Sequence, residues 1–256
     1  MEITENMQEA RSDEETAQIR NEAIKVAVLV GLALYFAYNI FSGNLTNYIN
    51  QRFAWLSYVA VVIFAALAAA NAYALYKRDF APTYDGHTGP LHWSVIAFAA
   101  VPLLLGTLIP SQPLGADAIN GGVSLSVSTV SASSSLARAP QDRNVLDWLR
   151  VFGAENSPAS FDNQPADLIG FVYREPDFPE GHFMVARFTM SCCVADAQPI
   201  GLPVYAPEQN AELVAGEWVR IAGAFRADLF RDQRTPIIQA ATVEVVDQPE
   251  HPYLYP

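Results

Sequence analysis

Cys192 and Cys193 stand side by side in Ser191-Cys192-Cys193-Val194-Ala195-Asp196-Ala197, and no other cysteine occurs in the 256 residues. A long-range disulfide framework is therefore excluded. Four chemistries remain for the pair. They are a vicinal disulfide, strained and correspondingly easy to reduce, a soft-metal ligand pair, an intermolecular bridge, and two buried thiols acting as small apolar side chains. Thiolates select zinc, copper(I) or trivalent arsenic-like species over magnesium or calcium. Successive side chains of a regular strand point to opposite faces, so both sulfurs reach one ion only at a bulge or a strand end. The run Val-Ala-Asp-Ala-Gln-Pro that follows reads as such an exit. Asp196 offers an oxygen ligand nearby, and His182 or Asp177, at the start of the same hairpin, could add another. The expected metal ligands are Cys192, Cys193 and Asp196, with His182 as a candidate fourth.

Other chemistry is poorly supplied. His182 and His251 are the only histidines after residue 110, and neither sits in a pattern for a catalytic triad or a zinc hydrolase. There is no nucleophile elbow, phosphate loop or dinucleotide fingerprint. A thiol–disulfide enzyme would carry the Cys-X-X-Cys spacing and helix N-terminus that lower a thiol pKa, and the adjacent pair lacks that spacing. The expectation is a protein that is not an enzyme.

Strand-like runs position the cysteines. Leu168–Arg174, His182–Cys192, Gly201–Tyr205, Trp218–Arg226 and Ile237–Val246 read as five strands, with a turn at Pro176–Gly181 and a short helix over Glu208–Val214. Five strands with a helix after the third is the order of an OB-type Greek-key barrel. A short amphipathic helix over Asp142–Phe152 precedes them, with Val145, Leu146, Leu149 and Phe152 on one side. OB barrels often bind nucleic acid, but residues 138–256 hold 17 acids against 9 arginines and no lysine. Such a surface repels a polyanion, so nucleic acid is not an expected partner.

The first half is of another kind. Ile24–Phe41, Ala54–Tyr76 and Trp93–Ile109 are apolar and of the length that crosses a bilayer as a helix. They predict three membrane spans, at 24–41, 54–76 and 93–109. An acidic tail, residues 1–23, precedes the first, which is unlike the basic leader of a signal peptide. Arg20 and Lys25 flank span one and Lys77 and Arg78 follow span two, whereas only Arg52 lies in the first loop. The positive-inside rule places the N-terminus in the cytoplasm and the chain after Pro110 outside it. Residues 111–140, rich in Ser and Gly, read as a flexible or extended tether. The expected class is a membrane α-helical half, lodged in the lipid bilayer, joined to an extracytoplasmic all-β OB-like domain over residues 141–256.

Gly170-Phe171-Val172-Tyr173-Arg174-Glu175, the stretch Arg187–Ala197 with its double cysteine, Trp218–Gly223 and Pro252-Tyr253-Leu254-Tyr255 resemble the YcgQ-like family of candidate permease subunits. Asn47-Tyr48-Ile49-Asn50-Gln51-Arg52 and Gly106–Pro110 look like that family's first loop and third-span exit. The resemblance implies an accessory subunit beside a larger multi-span permease in the plasma membrane, with zinc or another thiophilic ion as cargo at the outer face. The alternative is a membrane-anchored protein-interaction module whose cysteines only stabilise the barrel. Many family members carry a His-rich segment between spans two and three, which here is thinned to His87 and His92.

Overall fold

The computed structural model describes residues 2–77, 93–127, 132–155 and 157–256. They form two compact units, residues 1–46 with 51–112, and residues 47–50 with 113–256.

The first unit is helical. Helix α1 (Glu2–Phe41) joins the acidic tail and the first apolar stretch without a break, and α2 (Trp55–Lys77) and α3 (Trp93–Leu108) follow. Only Ser57 and Ala68 of α2 are buried, while Leu34, Val62, Ile63, Phe98 and Leu104 face outward. An apolar exterior of this kind suits lipid. Three polar side chains bond their own helix, as a medium without water favours. Asn39 donates to the Tyr35 carbonyl at 2.9 Å, Asn71 to Leu67 at 2.7 Å and Thr107 to Leu103 at 2.9 Å. Gly106 lies under the Tyr35 ring, where a Cβ would sit 2.2 Å from the phenol oxygen.

Ile19–Phe41 and Gln51–Lys77 are long and apolar enough to cross a membrane. The third expected span is helical where it is described, as the 16 residues of α3. His87 and His92 lie outside the described residues.

The second unit is a closed sheet. Its strands are β1 (Pro165–Tyr173), β2 (His182–Thr189), β3 (Gln198–Tyr205), β4 (Trp218–Phe230), β5 (Gln233–Val245) and the two-residue β6 (Tyr253–Leu254). Around the sheet the order is β1-β4-β5-β3-β2, and a β1–β2 pairing closes it. The β3–β5 and β2–β6 pairs are parallel and the others antiparallel. Gly223 lies at a register shift in the β4–β5 ladder, where a Cβ would come within 2.2 Å of the Gln239 carbonyl oxygen, so no larger residue fits without movement.

Helix α5 (Val145–Ala154) closes one side of the core. It starts three residues later than the periodicity predicts, because Pro140–Asp142 forms a separate 3-10 turn and Asn144 caps the helix. The Asn144 side chain accepts from Asp147 N and the Asp147 carboxylate accepts from Asn144 N, a reciprocal capping box. Trp148 of α5 is fully buried against Phe225, their ring centroids 4.6 Å apart.

Two expectations are corrected here. Residues 207–217 form turns, not a helix. Arg174 donates to the carbonyls of Asn210 and Leu213, and Val214 N, which in a helix would bond Asn210 O, donates instead to the Glu217 carboxylate. The segment read as a tether is also not free where it is described. Val123 is buried, Leu114, Ile119 and Leu125 pack with it on the outer face of β2, and Ser124 bridges to Ile200. β2 is therefore buried on both faces. Phe183 and Val185 point into the barrel, and Met184, Ala186 and Phe188 lie under this covering segment. Short helix α4 (Ala132–Leu136) follows it, and residues 128–131 lie outside the described residues.

Candidate functional site: the dithiol turn

After β2 the chain pairs once more, Met190 N to Leu254 O at 3.0 Å, and then turns. Asp196 builds that turn. One carboxylate oxygen accepts from Ser191 N at 3.0 Å and the other from Cys192 N at 2.8 Å. A short 3-10 turn over Val194–Asp196 brings the carboxylate back to these amides. The two sulfurs lie 3.6 Å apart as free thiols, Cys192 exposed and Cys193 half-buried. Adjacent side chains thus share a side, as a strand exit allows and a regular strand does not.

Local hydrogen bonding holds the Cys192 thiol in its protonated form. Hydrogen bonding to Asp196, with Cys193 the next cause, pushes the Cys192 thiol up to about 11. The same contacts, with the backbone N–H bonds, hold Asp196 below the usual carboxylate range. A thiol raised in this way is a slow nucleophile at neutral pH.

A second segment completes the site. Residues 47–50, from the loop between α1 and α2, lie along the cysteine turn as an added strand. Asn50 N donates to Cys192 O at 3.0 Å and Val194 N to Tyr48 O at 2.8 Å, with Ile49 opposite Cys193. The Asn50 side chain, from a residue 7% exposed, donates to Ser191 O at 2.9 Å. Tyr253 bridges this strap to the covering segment. Its hydroxyl accepts from Leu114 N at 2.9 Å and donates to Asn47 O at 3.4 Å. Nothing in the spacing of Asn47-Tyr48-Ile49-Asn50 marks it as part of this site. The pairing is non-local, and the only sequence signal is a polar segment rich in Asn and Tyr between two apolar stretches.

Cys192, Cys193 and Asp196 are brought together, whereas His182 and Asp177 are not. His182 sits at the opposite end of the eight-residue β2, roughly 25 Å along the strand. Its Nδ1 lies 3.0 Å from Glu180 O and its ring packs on Tyr205 and Phe230. Asp177 is near Arg231, at 4.0 Å. Among the described residues no group of three or more His, Cys, Asp or Glu side chains is gathered to hold an ion. Both Asp196 oxygens already serve the backbone.

Apolar helices of membrane-crossing length and a closed β-barrel bearing an exposed dithiol turn define a two-part membrane-type protein. Residues 24–122 match the DUF1980 N-terminal domain and residues 139–256 the DUF1980 C-terminal domain. The chain belongs to this YcgQ-like family. It is similar to the UPF0703 protein YcgQ of Bacillus subtilis strain 168, 22% identical over 284 residues that cover 90% of this chain and 98% of that one. It is also similar to a Streptococcus mutans protein named as a candidate subunit of a two-component membrane permease complex, 21% identical over 271 residues, 91% of this chain and 98% of the other. Among solved structures, a small single-stranded DNA-binding protein from Streptomyces coelicolor matches 33% of this chain and 93% of its own at 12% identity, with a TM-score of 0.24 that carries no argument.

Proposed function

We propose that this chain is an accessory subunit of a membrane permease complex, with the second unit an OB-type barrel on the outer face of the plasma membrane. The observation that carries the reading is the likeness to the Streptococcus mutans permease subunit along nearly the full length of both chains. The two helices of membrane-crossing length support the membrane setting. The flanking Arg20, Lys25 and Lys77 support a cytoplasmic N-terminus, with α3 as the third span. The strand order, with its parallel β3–β5 pair and the β1–β2 closure, favours the OB assignment.

The site adds a binding role without catalysis. Two thiols 3.6 Å apart at an exposed turn offer two soft donors to a thiophilic cargo, and remaining ligands would come from the cargo or from the permease. In the alternative, an interaction module, the thiols only shape the turn. The two readings separate in one experiment. The full chain in detergent, wild type and Cys192→Ser/Cys193→Ser, is titrated with zinc and with copper(I), and binding is read by calorimetry. Loss of a one-to-one site in the double variant supports the cargo reading. Equal stoichiometry and affinity in both proteins would sink it and leave the interaction module.

A further inference from the structure

The eight-membered ring of a Cys192–Cys193 disulfide would contain both Cα and Cβ atoms, both sulfurs, and the carbonyl carbon and nitrogen of the intervening peptide. The carbonyl of that peptide is the Cys192 oxygen that accepts from Asn50 N at 3.0 Å. The next amide, Val194 N, donates to Tyr48 O at 2.8 Å. The strap is therefore held by the peptide that ring closure must turn and by its immediate neighbour.

Closing the ring has a definite geometric demand. The sulfurs stand 3.6 Å apart and a disulfide needs about 2.0 Å. Cys193 is extended, with φ −153° and ψ 169°. The sulfurs can approach further only if the peptide between them rotates, and its carbonyl swings with it. Asp196 accepts from Ser191 N and Cys192 N and also engages the Cys193 amide. Rotation of the peptide therefore disturbs that amide together with the Cys192 C=O, where Asn50 is bound.

We propose that Cys192–Cys193 is a reversible oxidation site whose state controls the pairing of the 47–50 strap, seated in the dithiol form and released in the disulfide form. With hydrogen peroxide as oxidant, one thiolate attacks the peroxide O–O bond to give a sulfenic acid and, after protonation, water. The second thiol displaces the sulfenic oxygen as a second water and forms the S–S bond. Two thiols lose two electrons and two protons, and one peroxide becomes two waters. A dithiol reductant reverses the change by exchange, becoming a disulfide itself. Residues 47–50 lie between α1 and α2, so the loop joining the two long apolar helices gains or loses its anchor with the redox state. This coupling needs neither a metal cargo nor a permease.

The test uses the full chain in detergent, reduced with dithiothreitol or oxidised with stoichiometric hydrogen peroxide, with intact mass and residue-resolved amide exchange as readouts. The expected result is a monomer 2 Da lighter in which Asn50 and Val194 exchange at least about tenfold faster, reverting on reduction. Cys192→Ser and Cys193→Ser should show no such change, and Asn50→Ala should show a loose strap in both states. An intramolecular disulfide with unaltered exchange at Asn50 and Val194 would overturn the coupling. Failure to form an intramolecular disulfide, with only dimers or higher oxides produced, would overturn the assignment of the site.

Discussion

Replacing Asp196 by Ala tests how the turn sets thiol chemistry. The carboxylate is the leading cause that lifts the Cys192 thiol from 9.0 to about 11. At pH 8 a thiol at that raised value is about 0.1% thiolate, against about 10% at the ordinary one, a factor of ~100. The less basic thiolate is intrinsically the weaker nucleophile, which returns a factor of roughly ten over such a span. Cys193 remains as a second cause, and salt screens an exposed charge. The expected net acceleration is about three- to tenfold in reaction with an aromatic disulfide, measured at Cys192 by peptide mapping of the full chain in detergent. A looser turn alone would also speed reaction, so the pH profile decides. The wild-type rate should keep rising through pH 10, while the variant's should bend over at a lower pH. An unchanged profile, or a slower variant, would refute the electrostatic account of this site.

Three further outcomes follow from the same contacts. Arg187 is 6% exposed and donates to the carbonyls of Ile169, His251 and Pro252 while lying over the Trp218 ring, so Arg187→Met should cost about 2–4 kcal/mol in denaturant titration and expose residues 251–255 to protease. Gly223→Ala places a Cβ against backbone at the β4–β5 irregularity and should destabilise the barrel by about 1–3 kcal/mol, read by thermal unfolding. Asp196 has a lowered folded pKa, so its contribution is present above the unfolded value and lost as pH falls through the folded one. The amide resonances of Ser191 and Cys192 should therefore titrate with a midpoint below that of an ordinary aspartate, and a midpoint at or above it would contradict the turn geometry.

The strand runs were legible because each pairs a β-rich composition with turn residues at both ends, and Val219, Ile221 and Phe225 of β4 show the alternation plainly. The spacing of Val145, Leu146, Leu149 and Phe152 showed the helix, but its start moved to the Asn144 cap because Pro140–Asp142 forms a separate 3-10 turn. What could not be read depends on partners distant in the chain. Glu208–Val214 has helix-forming composition, yet Arg174 from another element donates to its carbonyls. Ser124 and Gly122 look like linker residues, yet Val123 between them fills a groove over β2. The cysteine turn was half visible. Asp196 followed from spacing, although its oxygens bind backbone amides, while Asn50 reaches Cys192 across 142 residues of chain. His182 shared the hairpin in sequence, but the length of β2 carries it to the other end.

The most direct measurement of the accessory-subunit claim is recovery of the full chain, affinity-tagged and at native abundance, from its own membranes in mild detergent. We expect one multi-span membrane protein in stoichiometric yield, retained after Cys192→Ser/Cys193→Ser substitution. Recovery of the chain alone, or with soluble proteins only, would contradict the proposed function.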